Sequence, residues 1–344
     1  ANLRRVKFDL SFCRIFTPLL IYLFGASPAA CKCFVEGREH NLQEFDETSL
    51  FLPDATCLRM GNLGYRSAAQ ESLFVCYNDL QTYVDCLYQA MHTPYPEYES
   101  IGQKVNGEYA QINTNLLQLE NEFYSTIRPK RNVQSGERPL DALTNSGIEY
   151  VEVRALDLDP YAPLGITAEQ VRFLDTFLLH CLLAESPACD EQEFFEVASN
   201  MAKIVECGRD VDLKLELEST TKGLKEWSLE LMEDLGHSAG LLDEAHGGTR
   251  YSESLSNQLA KVNDPNLTPS GQMLKEMREG NESFFEFSMR QSKAHQAYLV
   301  NNGLEEQTVS HMSATSAESH DRQKEIEVSD NLIFDDFLTQ WNDA

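Results

Sequence analysis

Glu152 and Arg154 stand two residues apart in the run GIEYVEVRALDLDP at 147–160. The first half of the run is β-branched and aromatic, and Pro160 closes it, which predicts a strand. A period of two places Ile148, Tyr150, Glu152, Arg154 and Leu156 on one face. Glu149, Val151, Val153, Ala155 and Asp157 take the other. A carboxylate and a guanidinium between Tyr and Leu cannot both be buried without partners. A structural ion pair at a sheet rim satisfies this spacing. So does a carboxylate holding a divalent cation beside a guanidinium holding phosphate. The second arrangement is what phosphoryl transfer needs, because cation and guanidinium together neutralise the charge on the transferred group.

Other segments offer companions. The run EYAQINTNLLQLE at 108–120 predicts a second strand with Gln111, Asn113 and Asn115 on one face. Such amides orient a polar substrate or form a hydrogen-bonded wet face. The run leads to Asn121, Tyr124 and then IRPKR at 127–131, the densest positive cluster in the chain. A solvated loop accounts for that cluster, and so does attraction of an anionic substrate such as ATP. Small residues in YLFGASP at 22–28 allow a close backbone approach. LPDATCLR at 52–59 and MGNLGY at 60–65 place Arg59 and Tyr65 in loop-like surroundings. The sequence holds no Walker A loop, no GxGxxG after a strand, no kinase signature set and no GxSxG elbow. If ATP is used, another architecture holds it.

The elements that must position these residues differ along the chain. Its 344 residues suit one large domain or two ordinary ones, and 42% hydrophobic content supports a core. Residues 1–160 mix short apolar segments with Gly, Asn and Pro turns, whereas 161–300 read as helices. Thr167 to Gln170 is a capping box, with Ile166 and Val171 as a hydrophobic staple. The helix after it turns Val171, Leu174, Phe177, Leu178, Cys181 and Leu182 to one face. Further helices are predicted from Asp190 to Gly208, over 222–235 with Gly236 as the stop, and over 252–262, 272–279 and 283–300. Residues 301–344 predict a solvated acidic tail. It ends in a short docking helix over 331–341 that presents Leu332, Ile333, Phe337 and Trp341.

Lys+Arg 28 against Asp+Glu 55 gives a net charge of −27. Such a surface repels nucleic acid and anionic lipid, so no nucleic acid and no membrane is an expected partner. The nine cysteines include no CxxC pair and predict reduced thiols in a cytosolic protein. Residues 4–31 imitate a secretory signal, with Arg4, Arg5 and Lys7 before the apolar run 16–24. Asp9 and Pro28 interrupt the pattern, and the apolar run is too short to span a bilayer. The simpler expectation is a buried helix ending at Gly25.

In order, YLFGASPA at 22–29, LPDATCLRMGNLGY at 52–65, YNDLQTYV at 77–84 and QINTNLLQLENEFY at 111–124 resemble segments of bacterial glutamate–cysteine ligase. IRPKR at 127–131, GIEYVEVRALDLDP at 147–160 and EQVRFLDTF at 169–177 complete the resemblance, which is dense over 15–190 and looser towards 300. It implies an α+β, glutamine-synthetase-like fold, a curved and mostly antiparallel sheet with helices outside. Residues 1–160 would be the C-terminal part of that sheet, 161–300 the helical region packed on it and 301–344 the tail. It also implies a cytoplasmic enzyme of glutathione biosynthesis. ATP phosphorylates the γ-carboxylate of L-glutamate, and the amine of L-cysteine attacks the acyl phosphate to give γ-glutamylcysteine.

By motif, Glu152 would be a ligand to Mg²⁺ (or Mn²⁺), and Arg154 the catalytic contact to the transferring phosphoryl group. Arg59 would bind a substrate carboxylate, Tyr65 and Tyr124 would close on cysteine, and Asn121 lies beside them. The chain departs from the family in lacking an N-terminal segment with an Arg-Glu-x-Glu type motif that supplies most metal ligands. The expectation is therefore an incomplete fragment that binds Mg²⁺ weakly and is inactive alone. The alternative is a non-catalytic fragment or scaffold that keeps the fold and binds a partner. Oligomeric state is not legible in the sequence.

Overall fold

The computed structural model describes residues 11–134, 136–186, 188–217 and 220–343. Arg4, Arg5, Lys7 and Asp9, used above to weigh a targeting signal, lie outside the described residues.

Helix α1 (Ser11–Phe24) is the centre of the core. Leu19, Leu20, Ile21, Tyr22, Leu23 and Phe24 are all buried, and a helix apolar all round belongs inside. It packs against helices from the second half of the chain and against the strand at 127–130. Gly25 ends it, as expected. A Cβ there would lie 2.6 Å from the Ile21 carbonyl oxygen and 2.7 Å from that of Thr56, so only glycine permits the approach.

Strands β1 (Ala29–Cys31), β2 (Gln43–Glu44) and β3 (Ser49–Phe51) form an antiparallel sheet in the order β1-β3-β2. Helices α2 (Leu80–Met91) and α3 (Pro96–Ile101) precede a hairpin of β4 (Lys104–Val105) and β5 (Glu108–Tyr109). Asn106 and Gly107 turn that hairpin with φ of 54° and 87°, the left-handed pair a tight two-residue loop requires. Strand β6 (Ile127–Lys130) pairs antiparallel with β7 (Tyr150–Val153), and α4 (Pro139–Ser146) connects them. Strands β8 (Lys214–Leu217) and β9 (Thr220–Gly223) pair farther on.

The class is α+β, as expected, but among the described residues the strands form four small separate sheets and no single curved one. The expected strand over 108–120 shrinks to Glu108–Tyr109. Its amide-rich sequence is the reason. Gln103 Nε2 donates to the Ile112 carbonyl at 2.6 Å, Ile112 N donates to Gln118 Oε1 at 3.1 Å and Asn115 N to Asn113 Oδ1 at 3.0 Å. Side-chain amides thus take the backbone groups a ladder would have used. The strand expected over 147–160 is limited to Tyr150–Val153. Beyond it, the carbonyl oxygens of Arg154 and Leu156 accept from Arg59.

Helix α5 (Ala168–Leu183) carries the expected capping box, with Gln170 N donating to Thr167 Oγ1 at 3.1 Å and Thr167 N to Gln170 Oε1 at 2.7 Å. Its buried side chains include Gln170, Phe173, Phe177 and Cys181, so Val171 and Leu182 lie off the core-facing side. Helix α6 (Glu191–Cys207) begins at the Asp190 cap. Helix α7 (Leu224–His246) runs through Gly236 and stops at Gly247, which has φ +75°. An interior glycine costs about 1 kcal/mol against alanine, and burial of Leu231, Met232, Leu235 and Ala239 around it outweighs that. Helices α8 (Arg250–Asn263), α9 (Pro269–Gly280) and α10 (Phe284–Asn301) follow. In the tail, α11 (Glu306–Ser329) buries no residue, whereas α12 (Phe334–Asp343) buries Leu338.

Candidate active site

The β6–β7 ladder sets Arg128 opposite Glu152 and Lys130 opposite Tyr150. Directly opposed residues share a face, so this face carries two cations around one carboxylate. Val151 and Val153 pack on the core, which is why the polar set faces away from it. The segment 127–131 is therefore no solvated loop. Arg128 is only 3% exposed, and its Nη2 donates to the carbonyl oxygens of Glu120 at 3.1 Å and Asn121 at 2.9 Å. The burial of Arg128 was invisible in a run that reads as a basic patch.

Glu152 Oε2 lies 3.0 Å from Arg154 Nε, and each side chain is about one-third exposed. Partial burial pushes the Glu152 carboxyl up. The close contact and charge of Arg154, with the fields of Lys130 and Arg128, outweigh it and hold the carboxyl below the usual range. Arg154 Nη1 donates to the Tyr65 hydroxyl at 2.6 Å. The Tyr65 ring meets that of Tyr124 edge-on, with centroids 4.5 Å apart. Burial pushes the Tyr83 phenol upward, and the charges of Arg128, Arg154 and Glu152 all act on it. Glu152, Arg154, Tyr65 and Tyr124 are thus in one chain of contacts. Asn121 reaches it through its carbonyl oxygen, while its residue is exposed.

Arg59 lies on the rear side of this chain. Its Nε binds Asp157 Oδ1 at 2.5 Å, and its Nη2 donates to the carbonyls of Arg154 at 3.2 Å and Leu156 at 2.8 Å. Asp157 Oδ2 accepts from Ala26 N and Ser27 Oγ, both at 2.7 Å. One buried carboxylate therefore ties together the segments around 26, 59 and 157. Alternation alone assigns Asp157 only to the face opposite Glu152 and suggests no role for it. Gly64 lets the chain double back here. A Cβ on it would sit 2.1 Å from the Arg59 carbonyl oxygen, and Tyr65 N donates to that same oxygen at 2.5 Å.

Beside the tyrosines lies a cleft of about 100 Å³, lined by Met60, Tyr65, Arg66, Gln70, Tyr124 and Met201 among others. That is a few waters' worth of space, enough for a small side chain. Among the described residues, no three of His, Cys, Asp and Glu gather as a metal cage. A magnesium ion typically takes one or two carboxylates together with substrate phosphates and waters. Glu152 fits as one such ligand and not as a complete site. Among the described residues, no helix is long and apolar enough to cross a membrane.

A family profile described as glutamate-cysteine ligase matches residues 9–204. The chain belongs to the glutamate–cysteine ligase family. Glutamate–cysteine ligase of Azotobacter vinelandii is 48% identical over 328 residues, covering 95% of this chain and 62% of the relative. That of Pseudomonas entomophila is 46% identical over 325 residues, covering 94% of this chain and 61% of the relative. The chain thus spans a little over three-fifths of the length of these curated ligases. The crystal structure of the Francisella tularensis glutamate–cysteine ligase in complex with AMP aligns with a TM-score of 0.88 at 30% identity, over 98% of this chain and 67% of that one. A bifunctional glutathione synthetase from Pasteurella multocida, at TM-score 0.59 and 19% identity, shares the fold.

Proposed function

We propose that this chain forms one wall of the active site of a cytoplasmic ATP-dependent ligase joining L-glutamate to L-cysteine. The observation that carries the reading is Arg154, held from one side by the Glu152 carboxylate and from the other by the Tyr65 hydroxyl. A guanidinium fixed in this way is pre-aligned for a planar, doubly hydrogen-bonded contact with phosphate. The AMP complex of the Francisella relative supports a nucleotide site in this fold.

In the proposed reaction an oxygen of the glutamate γ-carboxylate attacks the γ-phosphorus of ATP, and ADP leaves. The cysteine amine then attacks the acyl carbon, phosphate leaves with the bonding electrons, and the amine loses its proton. Arg154 contacts the oxygens of the transferring phosphoryl group. Tyr65 and Tyr124 close on cysteine, whose short side chain suits the adjoining cleft. Arg59, whose Nε and Nη2 are engaged by Asp157 and two carbonyls, would reach a substrate carboxylate through Nη1. Asn121 contributes from the same turn as Tyr124. Mg²⁺ or Mn²⁺, when bound, neutralises phosphate charge, and Glu152 would be one of its ligands. The small sheets are read as parts of the wider, glutamine-synthetase-like sheet of a longer ligase, and the acidic tail as an appendage to the helical region.

Glu152 alone does not complete a metal site, so the 344-residue chain by itself is proposed to be inactive. A chimera that adds the part of the Azotobacter vinelandii ligase the chain does not cover tests both halves of the proposal. The chimera is expected to form γ-glutamylcysteine and phosphate together, and the chain alone neither. Ordinary turnover by the chain alone would contradict the one-wall reading. A folded chimera that makes no product would contradict the ligase reading.

A further inference from the structure

Helix α12 meets the segment that carries Asn121 and Tyr124 through a line of polar contacts, exposed at Asp335 and buried at Arg138 and Glu120. At its start, Asp335 accepts from Lys104 Nζ at 3.0 Å and from the Tyr109 hydroxyl. Phe334 packs edge-on against Tyr109, with ring centroids 5.0 Å apart. Asn113 Nδ2 donates to Asn342 Oδ1 at 3.1 Å. At its end, the Trp341 carbonyl oxygen accepts from Arg138 Nη1 at 3.1 Å, and the guanidinium carbon lies 4.8 Å from the Trp341 ring centroid. Arg138 Nε binds Glu120 Oε1 at 3.0 Å, with side chains 10% and 4% exposed. Glu120 opens the 3₁₀ turn Glu120–Glu122, and its carbonyl oxygen accepts from Arg128, the residue opposite Glu152.

A buried ion pair adds little net stability, because desolvation offsets most of its attraction. What it does supply here is geometry, since each charge has one place in which it is satisfied. Helix α11 buries no residue, so α12 is kept in place by its own contacts and not by the helix before it. The flat face and fork of Arg138 are shared between α12 and Glu120.

We propose that Glu120, Arg138 and Trp341 are positioning residues, through which α12 sets the turn bearing Tyr124 against Tyr65 and Glu152. The inference rests on reading Tyr124 as a substrate-closing residue. The coupling itself belongs to this chain and is measurable without turnover, so its failure and a failure of the ligase reading are distinguishable.

Hydrogen exchange on the 344-residue chain tests it. The amides of Glu122, Phe123 and Tyr124 report the turn, since they donate to Leu119 O, Glu120 O and Gln70 Oε1. Trp341→Ala is expected to speed exchange at these amides about tenfold, with the amides of α5 and α6 unchanged. The chain has two tryptophans, so Trp227→Phe leaves Trp341 as the sole emitter. In that background Arg138→Lys keeps a cation for Glu120 but loses the flat fork under the indole. It is expected to shift Trp341 emission to the red while disturbing the turn amides less than Arg138→Gln does. Unchanged exchange at residues 122–124 in both Trp341→Ala and Arg138→Gln would overturn the proposal. If Arg138→Gln unfolds the chain by stranding Glu120, the pair Glu120→Gln with Arg138→Met removes both charges, and its turn amides are read with the same two outcomes.

Discussion

Asp157 grips Arg59 Nε at 2.5 Å with one carboxylate oxygen while its other oxygen accepts from Ala26 N and Ser27 Oγ. The backbone that leaves the Glu152 strand is thereby tied to the turn after α1 and to the loop that carries Tyr65. Asp157→Asn keeps the shape but removes the charge. The Arg59 side chain is partly exposed, so water screens part of the loss, and a destabilisation of about 1–2 kcal/mol is expected. Urea unfolding monitored by circular dichroism checks it, and an unchanged midpoint would mean that the amide replaces the carboxylate fully.

Two glycines should respond oppositely to alanine. Gly64→Ala would place a Cβ 2.1 Å from a backbone oxygen, which the loop relieves only by shifting Tyr65. A loss of about 1–3 kcal/mol is expected. At Gly236 nothing lies within 4 Å, so alanine is expected to stabilise by about 1 kcal/mol through helix propensity. Thermal denaturation of the two variants checks the contrast.

The Glu152 carboxyl adds a pH dependence with a definite sign. Its folded-state pKa is depressed: burial pushes it up, but Arg154 first, then Lys130 and Arg128, pull it further down. Such a group contributes stability that is present above its unfolded pKa and lost as pH falls through the folded one. Glu152→Gln should therefore be less stable than the parent at neutral pH. The gap should close as pH falls below about 4.3, the ordinary glutamate value. Urea midpoints on either side of that value decide it, and a gap independent of pH would contradict the assignment.

Tyr65→Phe removes the hydroxyl that accepts from Arg154 but keeps the edge-on contact with Tyr124. In the active chimera, kcat is expected to fall by about tenfold, the loss of one hydrogen bond to a charged group. Tyr124→Phe, which leaves Arg154 untouched, should act mainly on the KM for cysteine. Steady-state kinetics with cysteine as the varied substrate separates the two.

Local signals in the sequence carried further than long-range ones. The Thr167 capping box and the stop at Gly25 are decided by a few neighbouring residues, and both stand in the structure. The strand expected over 108–120 failed because Gln103, Asn113 and Gln118 bond its backbone from the side, a competition that alternation does not reveal. Helix α7 outran its expected stop because tertiary burial overrode one glycine. Glu152, Arg154, Tyr65 and Tyr124 form one chain of contacts. The partners that hold them did not show in spacing. Asp157 and Arg128 act across about 100 and 24 residues of chain, through contacts made only on folding.

The Glu152–Arg154 pair is proposed to serve metal and phosphate and not merely to close a sheet rim. A magnesium titration of product formation by the active chimera separates the two roles. Glu152→Gln is expected to lower γ-glutamylcysteine formation, with partial recovery as Mg²⁺ is raised. Arg154→Lys should lower kcat without such recovery, because a point charge replaces a fixed fork. Normal turnover in both variants across the titration would contradict the claim and leave the pair a structural one.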